Sequence, residues 1–226
     1  MDNLHAKHRE RLRKRFLKSG IDSFEDINLL ELLLFYAIPR RDTNDTAHHL
    51  LNRFGTIDRV FEASIEELCQ VEGIGKNSAI LIRMVSQLAN RADQVRIKNE
   101  FGNILDGPVS AGRYLMPRFS GERDEVVYMI CMDSKCKILN TRLMFRGSVN
   151  SANVSIRKIV ENALNNNATK VILAHNHVSG IALPSQADID TTSVIKNALA
   201  AVEVTLVDHI VVVADDFVSM ADSGLI

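Results

Sequence analysis

The chain has 226 residues, 46% of them apolar, which is enough for one large domain or two small ones with a real core. Its 27 Lys and Arg against 28 Asp and Glu leave a formal net charge of -1, so no global field draws it to nucleic acid or to a membrane surface. Three cysteines, Cys69, Cys131 and Cys136, are an odd count without dense spacing, which argues against a disulfide scaffold and for a reducing compartment.

The start, MDNLHAKHRERLRKRF, is basic but has no apolar core of a secretory signal, and no apolar run reaches membrane-spanning length. A soluble cytoplasmic protein with no membrane partner is expected. Residues 1 to about 96 read as helix throughout. INLLELLLFYAI is too apolar for a surface helix and is expected inside a small bundle. NDTAHHLLNRF opens on Asn44 or Asp45 as a cap, and SIEELCQV opens on Ser64, which has capping-box spacing to Glu67. KNSAILIRMVSQLANRA carries Ile80, Leu81, Met84, Val85 and Leu88 at helical spacing.

Composition then shifts. IKNEFGNILDGPVSAGRY holds three glycines and a proline, periodicity is lost, and a domain boundary near residue 100 divides a helical part (1–100) from the rest (101–226). EVVYMICM and KILNTRLMF read as strands joined by the turn DSK. VSIRKIVENALNNN places Ile156, Ile159, Val160, Ala163 and Leu164 on one helical face. KVILA is a short buried strand, SQADIDTTSVIKNALAAV a helix, VTLVD a strand, and HIVVVAD continues as strand. Strands alternating with helices imply an α/β layer around a mostly buried sheet.

HNHVSGIALPSQAD follows the strand KVILA directly. In extended chain, residues i and i+2 point to one side, so His175 and His177 can meet one ion. Asp188, in the first turn of the next helix, is the natural third ligand. Two neutral imidazoles and a carboxylate suit zinc with a place left for water, whose pKa such an ion lowers to roughly 7. Ser185 and Asp188 also have capping-box spacing behind Pro184. Ser185 therefore reads either as a helix cap or as the hydroxyl that donates to an oxygen gaining charge at a tetrahedral centre. The pattern His-x-His-x7-Ser-x-x-Asp should arise by chance in about one such chain in a thousand. Its position also fits, because ligands of α/β proteins gather beyond the carboxyl ends of strands. The unit KVILA–helix–VTLV is a crossover, so its strands should run parallel and close. That places Asp208 near the histidines, where a carboxylate can hold an imidazole tautomer; it also reads as a polar residue ending a strand.

HNHVSGIALPSQAD resembles the JAMM (MPN+) metalloprotease motif. With EVVYMICMDSKCKILNTRLMFRGSVN, ILAHNHVSG, PSQADIDTT and VDHIVV, the chain is similar to the bacterial RadC family (UPF0758) over nearly its whole length. The resemblance implies an α/β, MPN-like domain with a mixed sheet flanked by helices, behind a small all-helical domain. It implies a zinc metallopeptidase: His175, His177 and Asp188 holding Zn2+, Ser185 at the oxyanion, Glu125 as acid/base, and a peptide or protein as substrate. The alternative is a non-catalytic, DNA-associated (DNA repair-related) binding module with a structural or vestigial metal site. Water attacking an amide needs a base and the leaving amine an acid, and one carboxylate can serve both in turn. Glu125 also reads as an exposed glutamate at a strand end. Since Glu125 begins its strand and His175 ends one, the two can meet only if those strands are antiparallel. The chain departs from the family's usual reading at Val178, at SIRK (Ser155 to Lys158) and at Arg142.

VEGIGKNSAILIR resembles the second part of a helix-hairpin-helix. Gly73 and Gly75 are expected to make a turn that other residues would strain, and the following helix to offer backbone N–H groups and Lys76 to a phosphate. Contact with DNA of this kind is sequence-independent and salt-sensitive. The arm Lys7, Arg9, Arg11, Arg13, Lys14, Arg15 and Lys18 could add to it. Gly-Ile-Gly also reads as a plain turn between packed helices, the arm as a solvated face, and the helical half as a protein-interaction scaffold.

Overall fold

The structure, a computed structural model, describes residues 2–39, 41–100, 102–147, 155–178, 180–213 and 216–226. The end of HIVVVAD and the start of VSIRKIV lie outside the described residues. Two compact units divide between Ala89 and Asn90.

The first unit holds α1 (Asp2–Ser19), α2 (Asp26–Leu34), α3 (Asn44–Phe54), α4 (Ile57–Glu62), α5 (Ile65–Cys69) and the first half of α6 (Lys76–Glu100). Leu30, Leu34, Leu50, Val60, Leu68 and Ile82 are fully buried together, so the apolar run of α2 does lie inside a bundle. α5 starts on the expected capping box: Ser64 Oγ accepts from the Glu67 N–H at 3.1 Å, and Glu67 Oε2 from the Ser64 N–H at 2.8 Å. α3 differs. Its N-cap is Thr43, whose hydroxyl donates instead to the Glu31 carbonyl at 3.2 Å, while Asn44 Nδ2 reaches the buried Glu31 carboxylate. α6 also differs in phase, because Ala79 and Ile82 are buried whereas Ile80, Met84 and Leu88 are exposed.

The second unit is a five-stranded mixed sheet in the order β2-β1-β3-β4-β5. The strands are β1 (Val126–Met132), β2 (Ile138–Arg146), β3 (Lys170–Asn176), β4 (Thr205–Val213) and β5 (Asp216–Ser219). β3 and β4 are parallel, as a crossover through α9 (Gln186–Ala200) requires, and every other pair is antiparallel. In the hairpin turn between β1 and β2, the Asp133 carboxylate accepts from the N–H groups of Lys135 and Lys137, both at 2.9 Å. On one sheet face Met129, Cys131, Val171 and Leu173 pack on α8 (Ile156–Asn165) and α9. On the other, Ile130, Met132, Ile172, Ala174, Ile210 and Val212 pack on α7 (Pro108–Phe119). Helix α7 begins inside the stretch where periodicity is lost in the sequence and runs beyond it to Phe119. Pro108 at its first position is compatible with a helix start, and Ser110 Oγ accepts from the N–H groups of Asp106 and Gly107. The short edge strand β5 was likewise not foreseen.

Candidate metal centre

The pleat decides which side chains meet. β1 runs antiparallel to β3 with Val127 opposite His175, so the geometric demand on Glu125 is met. Continuing that register puts Glu125 opposite His177 and on the His175 face, and diagonal neighbours of this kind lie about 7–8 Å apart. The join is fastened by Asn176, which sequence reading passed over. Its Oδ1 accepts from the Val126 N–H at 2.7 Å, and its Nδ2 donates to the Asp124 carbonyl at 3.0 Å. Glu125 itself is half-buried just before β1.

His175 is the last residue but one of β3, and His177 is the first residue after it, its N–H donating to the Val212 carbonyl of β4. Their Nε2 atoms stand 2.9 Å apart. Asp188 presents Oδ1 at 3.4 Å from His175 Nε2 and Oδ2 at 3.4 Å from His177 Nε2. A tetrahedral zinc with bonds of about 2.0 Å sets its ligand atoms roughly 3.3 Å from each other; the contacts here lie near that spacing, the two Asp188 distances being made by different carboxylate oxygens. His175 is only 2% exposed and Asp188 9%, so the cluster sits largely out of bulk water. Among the described residues this is the group of His, Cys, Asp and Glu side chains placed to hold a metal.

Asp188 is delivered by the first turn of α9. Ser185 is the N-cap and the capping box is complete: Ser185 Oγ accepts from the Asp188 N–H at 3.2 Å, and Asp188 Oδ2 from the Ser185 N–H at 2.7 Å. The Ser185 hydroxyl also donates to Asp188 Oδ2 at 2.6 Å. Burial pushes the Asp188 pKa up, but interaction with the charged form of His175 and the donors of Ser185 outweigh it and hold the carboxyl well below the usual range.

One expected placement is corrected. Asp208 does not support a ligand imidazole. It stands opposite Ile172, on the α7 face of the sheet, where its carboxylate accepts from Ser219 Oγ at 2.6 Å and from the N–H groups of His209 and Ala221. The next residue, His209, faces the other way and pairs with His175: Nε2 of His209 lies 2.8 Å from Nδ1 of His175. Burial drives the His209 pKa well down, with the nearby His175 charge adding to it. Two consecutive strand residues cannot face the same side, so only one of the pair can reach His175, and the register of β4 against β3 decides which.

In the helical unit Gly73 has φ +86°, and a Cβ there would fall 2.4 Å from Thr46 Oγ1, so it is a required glycine. Gly75 is not: it lies outside the left-handed region and a Cβ would meet nothing within 4 Å. Its N–H is also taken, by Ser78 Oγ at 3.1 Å, leaving fewer donors at the start of α6 than expected, where Lys76 stands exposed. Of the basic arm, Arg9 is engaged internally. It donates to the carbonyls of Phe35, Ile38 and Arg41 and lies over the Phe35 ring at 4.5 Å.

Residues 105–225 match the RadC-like JAB domain, and residues 4–80 match the UPF0758 N-terminal domain. The chain belongs to the UPF0758 family. It is 36% identical over 217 residues to a UPF0758 protein of Pseudoalteromonas translucida, covering 96% of each chain. A UPF0758 protein of Fusobacterium nucleatum is 34% identical over 225 residues, with 97% of each covered, and one of Nitrosomonas europaea 36% over 217, with 96% of each. Arg142 and Lys158 line one pocket of about 290 Å³ between β2 and α8. Val178 is exposed in the loop after His177.

Proposed function

We propose that this UPF0758 chain is a zinc-dependent hydrolase of the JAMM type, acting on peptide or isopeptide bonds. The observation that supports this best is the convergence of His175, His177 and Asp188, three side chains from a strand end, a loop and a helix start, close enough together to hold one metal ion. Zinc, when bound, supplies the Lewis-acid charge that acidifies water and polarises a carbonyl. The protein's own groups do the rest. Glu125, brought to this end of the sheet by the antiparallel β1–β3 register, takes the proton of the attacking water and returns it to the leaving amine. Ser185 swings its hydroxyl hydrogen from Asp188 Oδ2 to the developing oxyanion, while the Ser185 N–H bond keeps Asp188 in place. The low exposure of His175 and Asp188 keeps these charge interactions strong.

The test has two steps. Purified protein equilibrated with zinc and then desalted should retain about one ion per chain, and His175→Ala or Asp188→Ala should abolish retention. Glu125→Gln should keep the ion and lose cleavage of an isopeptide-linked fluorogenic peptide library. Failure of the wild type to retain zinc removes the reading. Retention with no cleavage, in wild type and variant alike, leaves the competing DNA-associated module with a non-catalytic metal site.

A further inference from the structure

We infer that His209 and Thr192 form a positioning relay that fixes the tautomer of His175 and ties it to the helix turn carrying Asp188. The inference deepens the metal-centre reading and rests on it for its affinity arm.

The relay is a chain of three contacts. Thr192 Oγ1 lies 2.6 Å from the Asp188 carbonyl. His209 Nδ1 lies 2.5 Å from Thr192 Oγ1. His175 Nδ1 lies 2.8 Å from His209 Nε2. Hydrogen-bond direction can be worked out from one end, because a carbonyl only accepts. The Thr192 hydroxyl must therefore donate to Asp188; the Met220 sulfur, at 3.9 Å, is too far to compete. With its one proton committed, Thr192 Oγ1 must accept from His209, so His209 carries its proton on Nδ1. A neutral His209 then has only a lone pair on Nε2. His175 must donate to it from Nδ1; whenever His175 is neutral, this leaves its Nε2 lone pair turned toward His177 and Asp188.

His177 reaches the same state by a separate route. Its Nδ1 lies 3.2 Å from the Ile181 carbonyl, which again can only accept. With both imidazoles neutral, two Nε2 lone pairs and a carboxylate face one another within 3.4 Å. Such a set is electrostatically unfavourable unless a cation stands among them. The relay thus creates the electron-rich pocket rather than merely bordering it.

Burial makes the arrangement rigid. Thr192 is fully buried, His209 is 6% exposed, and the relay bonds lie out of solvent's reach. Its sequence logic is simple. Thr192 is four residues past Asp188, on the same helix face, and His209 shares the β4 face that borders His175. In most proteins the outer partner of a ligating histidine is a carboxylate, a carbonyl or water. Here it is a second imidazole whose own direction is set by the backbone of another ligand, so the tautomer of His175 and the placement of Asp188 are linked.

The test uses the full chain. Zinc affinity is measured by competition with a chromophoric chelator, and ring nitrogens are read by NMR on protein labelled with 15N-histidine, metal-free and in alkaline buffer where imidazolium is gone. His175 and His209 should both carry their proton on Nδ1. His209→Phe, which keeps the ring volume and removes the acceptor, should weaken zinc binding by about 10- to 100-fold and shift His175 toward its Nε2–H form. His209→Gln, whose amide oxygen can accept the Nδ1–H bond, should recover most of that loss. Thr192→Val should leave a mixture of His209 tautomers and a smaller loss of affinity. Unchanged affinity in a folded His209→Phe variant overturns the relay. So does a wild-type His175 protonated on Nε2 alone, a reading that holds even if the variant fails to fold. If wild type binds no zinc yet shows both Nδ1–H forms, the hydrolase reading falls and the relay stands.

Discussion

Asp208 and His209 show how much turns on a single residue step. They are adjacent in β4, yet one serves the α7 side of the sheet and the other the metal centre. The buried Asp208 carboxylate satisfies three donors: Ser219 Oγ and the N–H groups of His209 and Ala221. Asp208→Ala would strand all three and should cost about 1–3 kcal/mol in urea unfolding, while zinc stoichiometry stays at the wild-type value. The effect carries a pH signature. Burial raises the Asp208 pKa, and the donors pull it back without reversing the sign. An acid that holds its proton more tightly when folded stabilises the protein most below its unfolded pKa. That contribution is lost as pH rises through the folded value. The wild-type advantage over Asp208→Ala should therefore shrink as unfolding is repeated from acid toward neutral pH; an advantage that grows would contradict the assignment. The grouping of the three candidate ligands was legible in the sequence because spacing in a strand and a helix turn is local. Which of Asp208 and His209 turns to the ligands was not, because it depends on the register of β4 against β3. That register shifts between Val171 and Ile172.

At the level of single elements, reading succeeded where chemistry at the ends is local and failed where packing overrides composition. The capping boxes of α5 and α9 follow from Ser and an acidic residue three positions on. Helix α7 was hidden by Gly107, Pro108, Gly112 and Pro117, residues usually read as breakers. Gly112 is needed there because a Cβ would come within 2.5 Å of the Phe217 ring. The turn before α6 allows a paired prediction. Gly73→Ala meets both a left-handed backbone and Thr46 Oγ1, and should destabilise the helical unit by about 1–3 kcal/mol. Gly75→Ala meets neither and should stay within about 0.5 kcal/mol of wild type in the same thermal or urea unfolding. Equal effects at the two positions would mean that the glycines serve something other than this turn. The buried thiol of Cys131, with its pKa pushed up to about 11 by desolvation, gives a matching test of the α8–β1 layer. Iodoacetamide at neutral pH should label the exposed Cys69 quickly and Cys131 only after unfolding, read by peptide mass spectrometry.

For the whole molecule, the decisive fact is that each unit has a core of its own. Leu30, Leu34, Leu50 and Ile82 belong to the first, and two sheet-face clusters to the second. All three proposed ligands, the relay and Glu125 lie in the second unit, residues 90–226. No described helix is long and apolar enough to cross a membrane. A ligand that binds only the folded form of one unit stabilises that unit by mass action, by about 4 kcal/mol when free zinc exceeds its dissociation constant a thousandfold. Hydrogen exchange followed by mass spectrometry should then show slower exchange on zinc addition in β1, β3, β4 and α9, the elements that frame the ligands. The slowest amides of α2 and α3 should exchange at an unchanged rate, because their protection is set by opening of a separate core. A uniform slowing across both units would show instead that the chain opens as one cooperative body. Slowing absent from β3 and α9 would mean that zinc does not reach His175, His177 and Asp188 together.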